Sequence, residues 1–179
     1  MAWTRNLGVA IIALVLLGLS GIWLSAPRPI NAGVDPAYLL TPWAAHLDEV
    51  ELGLATGDRA RALRAWSNAW IAAQASQRWQ PLLDVGHAAI RIGEATDSAA
   101  IGRANARRAY RAALIRAHAQ HSVDGVLRAA ESFAALGDRD VTEGALHTAR
   151  KLAARAPDLN LRAQVEVDAE RIAARVVSQ

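Results

Sequence analysis

Hydrophobic and polar residues alternate with a helical period from Thr41 onward. Between 58 and 76, apolar residues recur at three- and four-residue steps, which places them on one helix face: Ala62, Leu63, Trp66, Ala69, Trp70 and Ala73. The same reasoning predicts seven helices, at about 42–56, 58–76, 78–95, 99–119, 122–136, 139–155 and 158–177. Thr41-Pro42 supplies an N-cap and a first-turn proline, and Gly57, Gly137 and Pro157 mark later boundaries. This pattern predicts an all-α domain over 41–179.

The chain repeats itself at a step of 40 residues. The loop Ala55-Thr56-Gly57-Asp58 returns as Ala95-Thr96-Asp97-Ser98 and again as Ala135-Leu136-Gly137-Asp138. The flanking helices agree in five columns: Ala69, Ala109 and Ala149; Ala73, Ala113 and Ala153; Trp66, Ala106 and Leu146; Trp43, Leu83 and Val123; Val50, Ile90 and Ala130. Periods of this size predict about three stacked helical hairpins that offer an extended surface to a partner.

The last predicted helix is amphipathic in a different way from the others. Its apolar residues occupy one face, with Arg and Glu elsewhere: Leu161, Val165, Ala169, Ile172 and Val176. A helix with a single apolar face is typical of the end of a repeat array, where it keeps the last unit soluble. We therefore predict that this helix caps the stack.

An uncharged apolar segment covers 7–24 near the N-terminus. As a helix it would be about 27 Å long, close to the hydrocarbon thickness of a bilayer. Trp3 and Trp23 bracket it, as aromatic residues do at membrane interfaces. We predict a transmembrane anchor over 1–25. The alternative is a cleaved signal peptide, with Ile30-Asn31-Ala32 providing a small-residue cleavage site before Gly33.

Orientation and anchor packing follow from the residues around this segment. The short N-terminal side is the easier one to keep in the cytoplasm, which predicts export of the remainder across a bacterial-type inner membrane into the periplasm. Gly18, Gly21 and Ser25 lie on one face and predict a packing surface for a second transmembrane helix, although ordinary glycine content of a membrane helix is the simpler interpretation. The run over 26–40 is rich in Pro and Gly and predicts a linker.

Composition narrows the fold and the chemistry. Hydrophobic residues make up 53% and aromatic residues 5%, which favours closely packed helices over a β-sandwich. The absence of cysteine excludes a disulfide, a thiolate nucleophile, a Cys-ligated zinc and a lipoprotein anchor. The net charge of +3 indicates no strong partner preference.

The segment over 129–157 resembles a tetratricopeptide (TPR) repeat. The resemblance rests on Ala129, Phe133, Leu136-Gly137-Asp138, Ala145, Ala149 and Pro157, and the small–aromatic–small order recurs at Ala106, Tyr110 and Ala113 and at Ala62, Trp66 and Ala69. The step of 40 residues departs from the family's period of about 34, and proline closes only the last unit. The resemblance, which covers 42–157, implies a right-handed stack whose concave face is lined by the first helix of each hairpin and binds a peptide or a subunit.

On that basis, polar residues of the first helices are candidates for a partner-binding groove: Asp48, Glu51, Asp84, His87, Arg91, Asp124 and Arg128. Asp84 and Asp124 share a repeat column. Mixed charges of this kind suit recognition of a peptide backbone or of charged side chains. The alternative is a solvated helix face. Trp66 and Trp70 are predicted to belong to the core of the first hairpin.

Signals for catalysis or metal binding are weak. His118 and His121 have a spacing that can share a metal, but imidazoles at a helix C-terminus also interact with its dipole. The acidic cluster of Asp48, Glu49 and Glu51 lacks a partner motif, and the chain has no phosphate loop, nucleophile elbow or zinc-protease pair. We expect no enzyme activity, no cofactor and no metal site.

Arg103, Arg107 and Arg111 form a basic ridge, which predicts a solvated convex face. The sharper alternative is contact with anionic lipid or an acidic subunit, and export argues against nucleic acid.

The predicted anchor and helical repeat together are consistent with two functions. The first is a membrane-anchored scaffold, a structural or assembly subunit that docks an exported partner subunit of a membrane complex. The second is a periplasmic TPR-like adaptor or chaperone that binds client polypeptides transiently during envelope-protein maturation or secretion.

Overall fold

A computed structural model describes residues 42–177, which form seven α-helices and no strand. The helices are α1 (Pro42–Ala55), α2 (Arg59–Ala75), α3 (Gln80–Ala95), α4 (Ala99–Ala119), α5 (Val123–Ala134), α6 (Arg139–Arg155) and α7 (Leu159–Val177). Their bounds agree with the predicted ones to within two residues, so the all-α prediction is confirmed for this range. The predicted anchor over 1–25, with Gly18, Gly21 and Ser25, and the linker over 26–40 lie outside the described residues.

The loops explain why the 40-residue signature exists. Gly57, Asp97 and Gly137 occupy the same repeat position, and all three have left-handed backbone, with φ of 71°, 49° and 77°. Glycine adopts this conformation without a steric cost, and Asp tolerates it better than most residues do. The side chain of Asp58 then accepts a hydrogen bond from the Arg61 backbone N–H, which caps the start of α2. Ser98 and Asp138 occupy the same N-cap position without a side-chain cap bond, so the part of the signature common to all three loops is the left-handed residue that ends the preceding helix.

The helices stack in two layers. Consecutive helices are joined by three- or four-residue loops and pack on one another as antiparallel hairpins. Packing also connects α1 to α3, α3 to α5 and α5 to α7, so the odd-numbered helices form a layer of their own. This arrangement is compatible with a helical-repeat fold. Within the range 42–177, no helix is both long and apolar enough to cross a bilayer.

The repeat columns coincide with the core. The alanines at 69, 109 and 149 are fully buried, and those at 73, 113 and 153 are at most 2% exposed. Small side chains at these positions let neighbouring helices approach closely, while Val50, Val85, Val126 and Phe133 fill the space between them. Trp66 and Trp70 pack against this core but stay half-buried, and their rings stack 6.4 Å apart. The Trp66 indole Nε1 donates to the Val85 carbonyl at 2.9 Å.

The last helix has the predicted single apolar face. Val165, Ala169 and Ile172 are buried against the preceding helices, and most of the opposite face is exposed. The helix contacts both α5 and α6. It therefore does more than close the stack, because it also forms a wall beside α5.

Candidate functional site

The odd-numbered helices α3, α5 and α7 enclose an open groove of about 570 Å³, which we call the α3–α5–α7 groove. Its lining contains both charged and apolar side chains. Its main lining residues are Leu83, Asp84 and His87 of α3, Asp124, Leu127, Arg128 and Glu131 of α5, and Asp168, Arg171, Ile172 and Arg175 of α7. Trp79, in the loop before α3, lies at one end.

The structure brings four of the seven predicted groove residues together here. Asp84, His87, Asp124 and Arg128 all line the groove, as expected for first helices facing one side. The other three are not among its lining residues. Glu51 and Arg91 pair with each other at 2.6 Å between α1 and α3, and Asp48 is exposed on α1.

Sequence reasoning missed Glu131 of α5 and the whole contribution of α7. The Glu131 carboxylate accepts hydrogen bonds from Arg171 at 2.9 Å and from Arg175 at 3.1 Å, so it ties the two helices across the groove. A usable signal was present. Positions 51, 91, 131 and 171 are one repeat column, in which Glu and Arg alternate.

This alternating column forms ion pairs between neighbouring odd-numbered helices. Glu51 binds Arg91, and Glu131 binds Arg171, each pair spanning 40 residues of sequence. The hydrogen bond to Glu131 is the main cause that raises the pKa of Arg171. Because these side chains are largely exposed, water and salt screen each pair, and its contribution to stability is small. Their main effect is to fix how adjacent helices are aligned.

Two buried aromatic rings lie behind His87, which lines the groove. The His87 ring lies 5.4 Å from the Tyr110 ring, which in turn meets Phe133 edge-on at 5.9 Å. The Oγ of Ser132 is 3.4 Å from His87 Nε2. Surrounding atoms desolvate the imidazole and lower the pKa of His87, although part of the ring faces the groove. With Nε2 beside the Ser132 hydroxyl, the other ring nitrogen is the one left for a partner.

Arginine and tryptophan meet at the α3 end of the groove. The Arg128 guanidinium lies 5.8 Å from the centre of the Trp79 ring, and it also donates to Asp124 at 3.2 Å. Gly125 makes this geometry possible, because a Cβ at that position would be 2.7 Å from the indole ring. The ring is 6% exposed and supports the cation from below.

The three arginines of the predicted basic ridge on α4 differ: one has a structural partner, and two are exposed. Arg107 forms two hydrogen bonds with the Asp138 carboxylate, at 2.7 and 2.8 Å, and so fixes α4 to the start of α6. Arg103 and Arg111 are exposed. His118 lies in the last turn of α4 and His121 in the following loop; within the described range, no group of three His, Asp or Glu residues is arranged to hold a metal ion.

Comparison with known proteins gives no assignment: no family model matches this chain, and no curated protein is significantly similar to it. The case for a function therefore depends on the groove, on the repeat and on the surface of the helices.

Proposed function

We propose that this chain is a membrane-anchored helical-repeat protein with TPR-like architecture that binds polypeptide segments in the α3–α5–α7 groove. The observation that carries the proposal is the groove itself, which is open and is lined by three successive odd-numbered helices with side chains of both charges. In the family that the sequence resembles, the corresponding helices line the partner-binding face.

The chemistry of the lining suits a client polypeptide. Asp84 and Asp124 accept hydrogen bonds from a backbone N–H or a basic side chain, and Arg128 donates to a carbonyl or a carboxylate. Leu127 is partly exposed beside them and provides an apolar contact for a client side chain, while Leu83 and Ile172 are buried beneath the lining. Obligate subunit interfaces are more apolar than this lining. The groove therefore favours an adaptor or chaperone that meets its clients transiently.

A fixed structural or assembly subunit is the second candidate function. The observation in its favour lies on another surface, where Ile71, Ile101 and Ile115 are 63–64% exposed on α2 and α4. Exposed apolar residues of this size can bury area against a permanent partner. In this version, the protein would dock an exported partner subunit of a membrane complex.

The location in the proposal comes from the sequence. The apolar segment over 7–24 would span the inner membrane, with Gly18, Gly21 and Ser25 available to another transmembrane helix. The short N-terminus would stay in the cytoplasm, and the helical domain would face the periplasm.

A matched pair of charge reversals tests the groove. Asp124 lines the groove and Asp140 does not, yet both are exposed acidic residues in the first turn of their helices, two positions after the N-cap. Full-length wild type, Asp124→Lys and Asp140→Lys are extracted in mild detergent, and co-purifying polypeptides are quantified by sizing and mass spectrometry. We expect a varied, substoichiometric set that is lost from Asp124→Lys and kept by Asp140→Lys.

The second candidate makes the opposite prediction. A fixed-stoichiometry assembly with integral membrane subunits that survives Asp124→Lys would establish the structural role and would exclude the groove as the binding site.

A further inference from the structure

Helices α2 and α4 carry positive charge without any compensating carboxylate of their own. Three arginines lie in 59–75 and five in 99–119, and neither stretch contains Asp or Glu. The next even-numbered helix differs, since α6 has Asp140 and Glu143 among its exposed residues. Among the described helices, α2 and α4 therefore have the largest excess of positive charge.

Four of these arginines have structural partners. Arg59 donates to the Ser98 hydroxyl at 2.8 Å, and Arg61 binds Glu49 of α1 at 2.6 Å. Arg107 binds Asp138, and Arg116 donates to backbone carbonyls at the end of α2. Arg64, Arg108 and Arg111 are exposed. They remain available to an anionic partner.

The exposed arginines share their surface with large apolar residues. We call this surface the outer face and define it as Arg64 and Ile71 of α2 with Ile101, Arg108, Arg111 and Ile115 of α4. On α4, the residues at 101, 108 and 115 are seven apart, as are those at 64 and 71 on α2, so each set lies on one side of its helix. Each of the three isoleucines is more than 60% exposed.

Two contacts show that the parts of the outer face are neighbours. The Arg108 guanidinium lies 5.0 Å from the centre of the Trp70 ring of α2. At the other end of the helices, Leu63 of α2 and Ile101 of α4 line the same small cavity of about 120 Å³. The two helices are therefore neighbours at the outer face, where Leu63 and Trp70 directly precede its α2 members Arg64 and Ile71.

We propose that the outer face docks on the surface of an anionic lipid bilayer. Arginine binds phosphate headgroups electrostatically, while isoleucine and tryptophan insert at the boundary between headgroups and acyl chains. A nucleic acid would satisfy the arginines but leave the isoleucines in water. The anchor that we propose over 1–25 would tether the domain near the membrane, since 26–40 spans at most about 50 Å when fully extended.

This surface is separate from the α3–α5–α7 groove; the inference rests on the proposed membrane anchor and is independent of the proposed groove. The absence of cysteine makes a site-specific test direct. Ala104→Cys, which is exposed on the same side of α4 as Arg111, is labelled with an environment-sensitive fluorophore in the full chain. The protein is placed in nanodiscs of phosphatidylcholine with or without phosphatidylglycerol, and quenching by lipid-chain spin labels is measured. We expect strong quenching only in the anionic discs, and release in high salt.

Two paired controls sharpen the test. The double variant Arg64→Gln/Arg111→Gln should lower the ratio of docked to undocked protein roughly 30-fold, about 5-fold for each arginine. Lys151→Gln/Arg155→Gln removes the same charge from exposed positions of α6 and should leave the ratio unchanged. A fluorophore at Gly144→Cys, exposed on α6, should stay unquenched.

Several results would overturn the proposal. Equal quenching in zwitterionic discs, equal quenching at 104 and 144, or insensitivity to Arg64→Gln/Arg111→Gln would each exclude electrostatic docking through this face. An unquenched fluorophore combined with tight binding of a single-stranded RNA oligonucleotide would assign the arginines to nucleic acid. Asp124→Lys serves as the control for the groove: it should abolish client binding and leave quenching unchanged, so the two proposals fail separately.

Discussion

The α3–α5–α7 groove and the outer face both expose arginines, but the structure gives those arginines different neighbours. In the groove, Arg128 and Arg171 each lie within hydrogen-bond distance of a carboxylate. On the outer face, neither α2 nor α4 supplies a carboxylate at all. The comparison shows that the role of an arginine here depends on the helix packed beside it. The groove has hydrogen-bonding groups of both signs, whereas the outer face has one sign of charge and exposed isoleucine.

The largest contrast between the two regions should appear when large apolar residues are truncated. Phe133→Ala removes a fully buried ring beneath the groove and should destabilise the domain by about 3–5 kcal/mol. Ile115→Ala on the outer face should change stability by less than about 0.5 kcal/mol. Urea unfolding of the full chain in detergent, followed by circular dichroism, measures both. A cost above about 1 kcal/mol for Ile115→Ala would show that the outer face is covered.

Replacing glycine by alanine should change stability in opposite directions at a close helix contact and on open surface. A Cβ on Gly102 would lie 2.7 Å from the Ala89 carbonyl oxygen, where α3 and α4 cross, so Gly102→Ala should cost about 1–3 kcal/mol. A Cβ on Gly144 of α6 would have no atom within 4 Å. Gly144→Ala should therefore stabilise the folded domain by about 0.5–1 kcal/mol. Thermal unfolding would show opposite shifts, and shifts of the same sign would contradict the close crossing.

Two arginines of α4, Arg111 and Arg116, should contribute differently to the stability of the domain. The Arg116 guanidinium donates to the carbonyls of Ala73, Gln74 and Arg78, which lie at and just after the end of α2. Arg116→Gln should therefore cost about 1–2 kcal/mol, because carbonyls at a helix C-terminus lose their donors. Arg111→Gln should be within about 0.5 kcal/mol of wild type. Similar losses in chemical denaturation would indicate that Arg111 also has a structural partner.

Removing a groove charge should have a smaller, salt-dependent effect. Glu131→Gln weakens the hydrogen bonds from Arg171 and Arg175 and should cost about 0.5–1 kcal/mol at low ionic strength. The difference should shrink in about 1 M NaCl. Glu143→Gln is the control, since Glu143 has one longer contact, 3.7 Å to Arg139 within α6. A cost that salt does not reduce would argue against an electrostatic origin.

The smallest expected effect is a pH dependence from His87. Its pKa in the folded protein is lowered from 6.5, first by burial and also by Arg91, while Asp84 and Glu131 oppose the change. The unfolded chain therefore binds the proton more tightly, and the contribution to stability is complete above pH 6.5 and is lost as pH falls through the folded pKa. Between about pH 7.5 and pH 5, wild type should lose more stability than His87→Gln. An equal loss would show that the imidazole is fully solvated.

The sequence by itself determined the helices, their ends and the buried columns. Helical period, capping residues and glycine act locally, so the bounds of all seven helices could be predicted to within two residues. The repeat identified the fully buried alanines because each unit packs against its neighbour in the same way. The repeat also contains the column at 51, 91, 131 and 171, in which Glu and Arg alternate. The full alternation is visible only when the last helix is aligned with the hairpins before it.

Tertiary structure decided which polar residues share a surface. Asp48 and Asp84 both lie on odd-numbered helices, yet only Asp84 reaches the groove, because α7 encloses the space beside α5 and α3 and leaves α1 outside. Arg107 and Arg111 lie one turn apart, but only Arg107 meets the Asp138 carboxylate. Helical period fixes the direction of a side chain relative to its own helix. The partner that it meets depends on how neighbouring helices pack, and that packing is set by contacts between residues far apart in sequence.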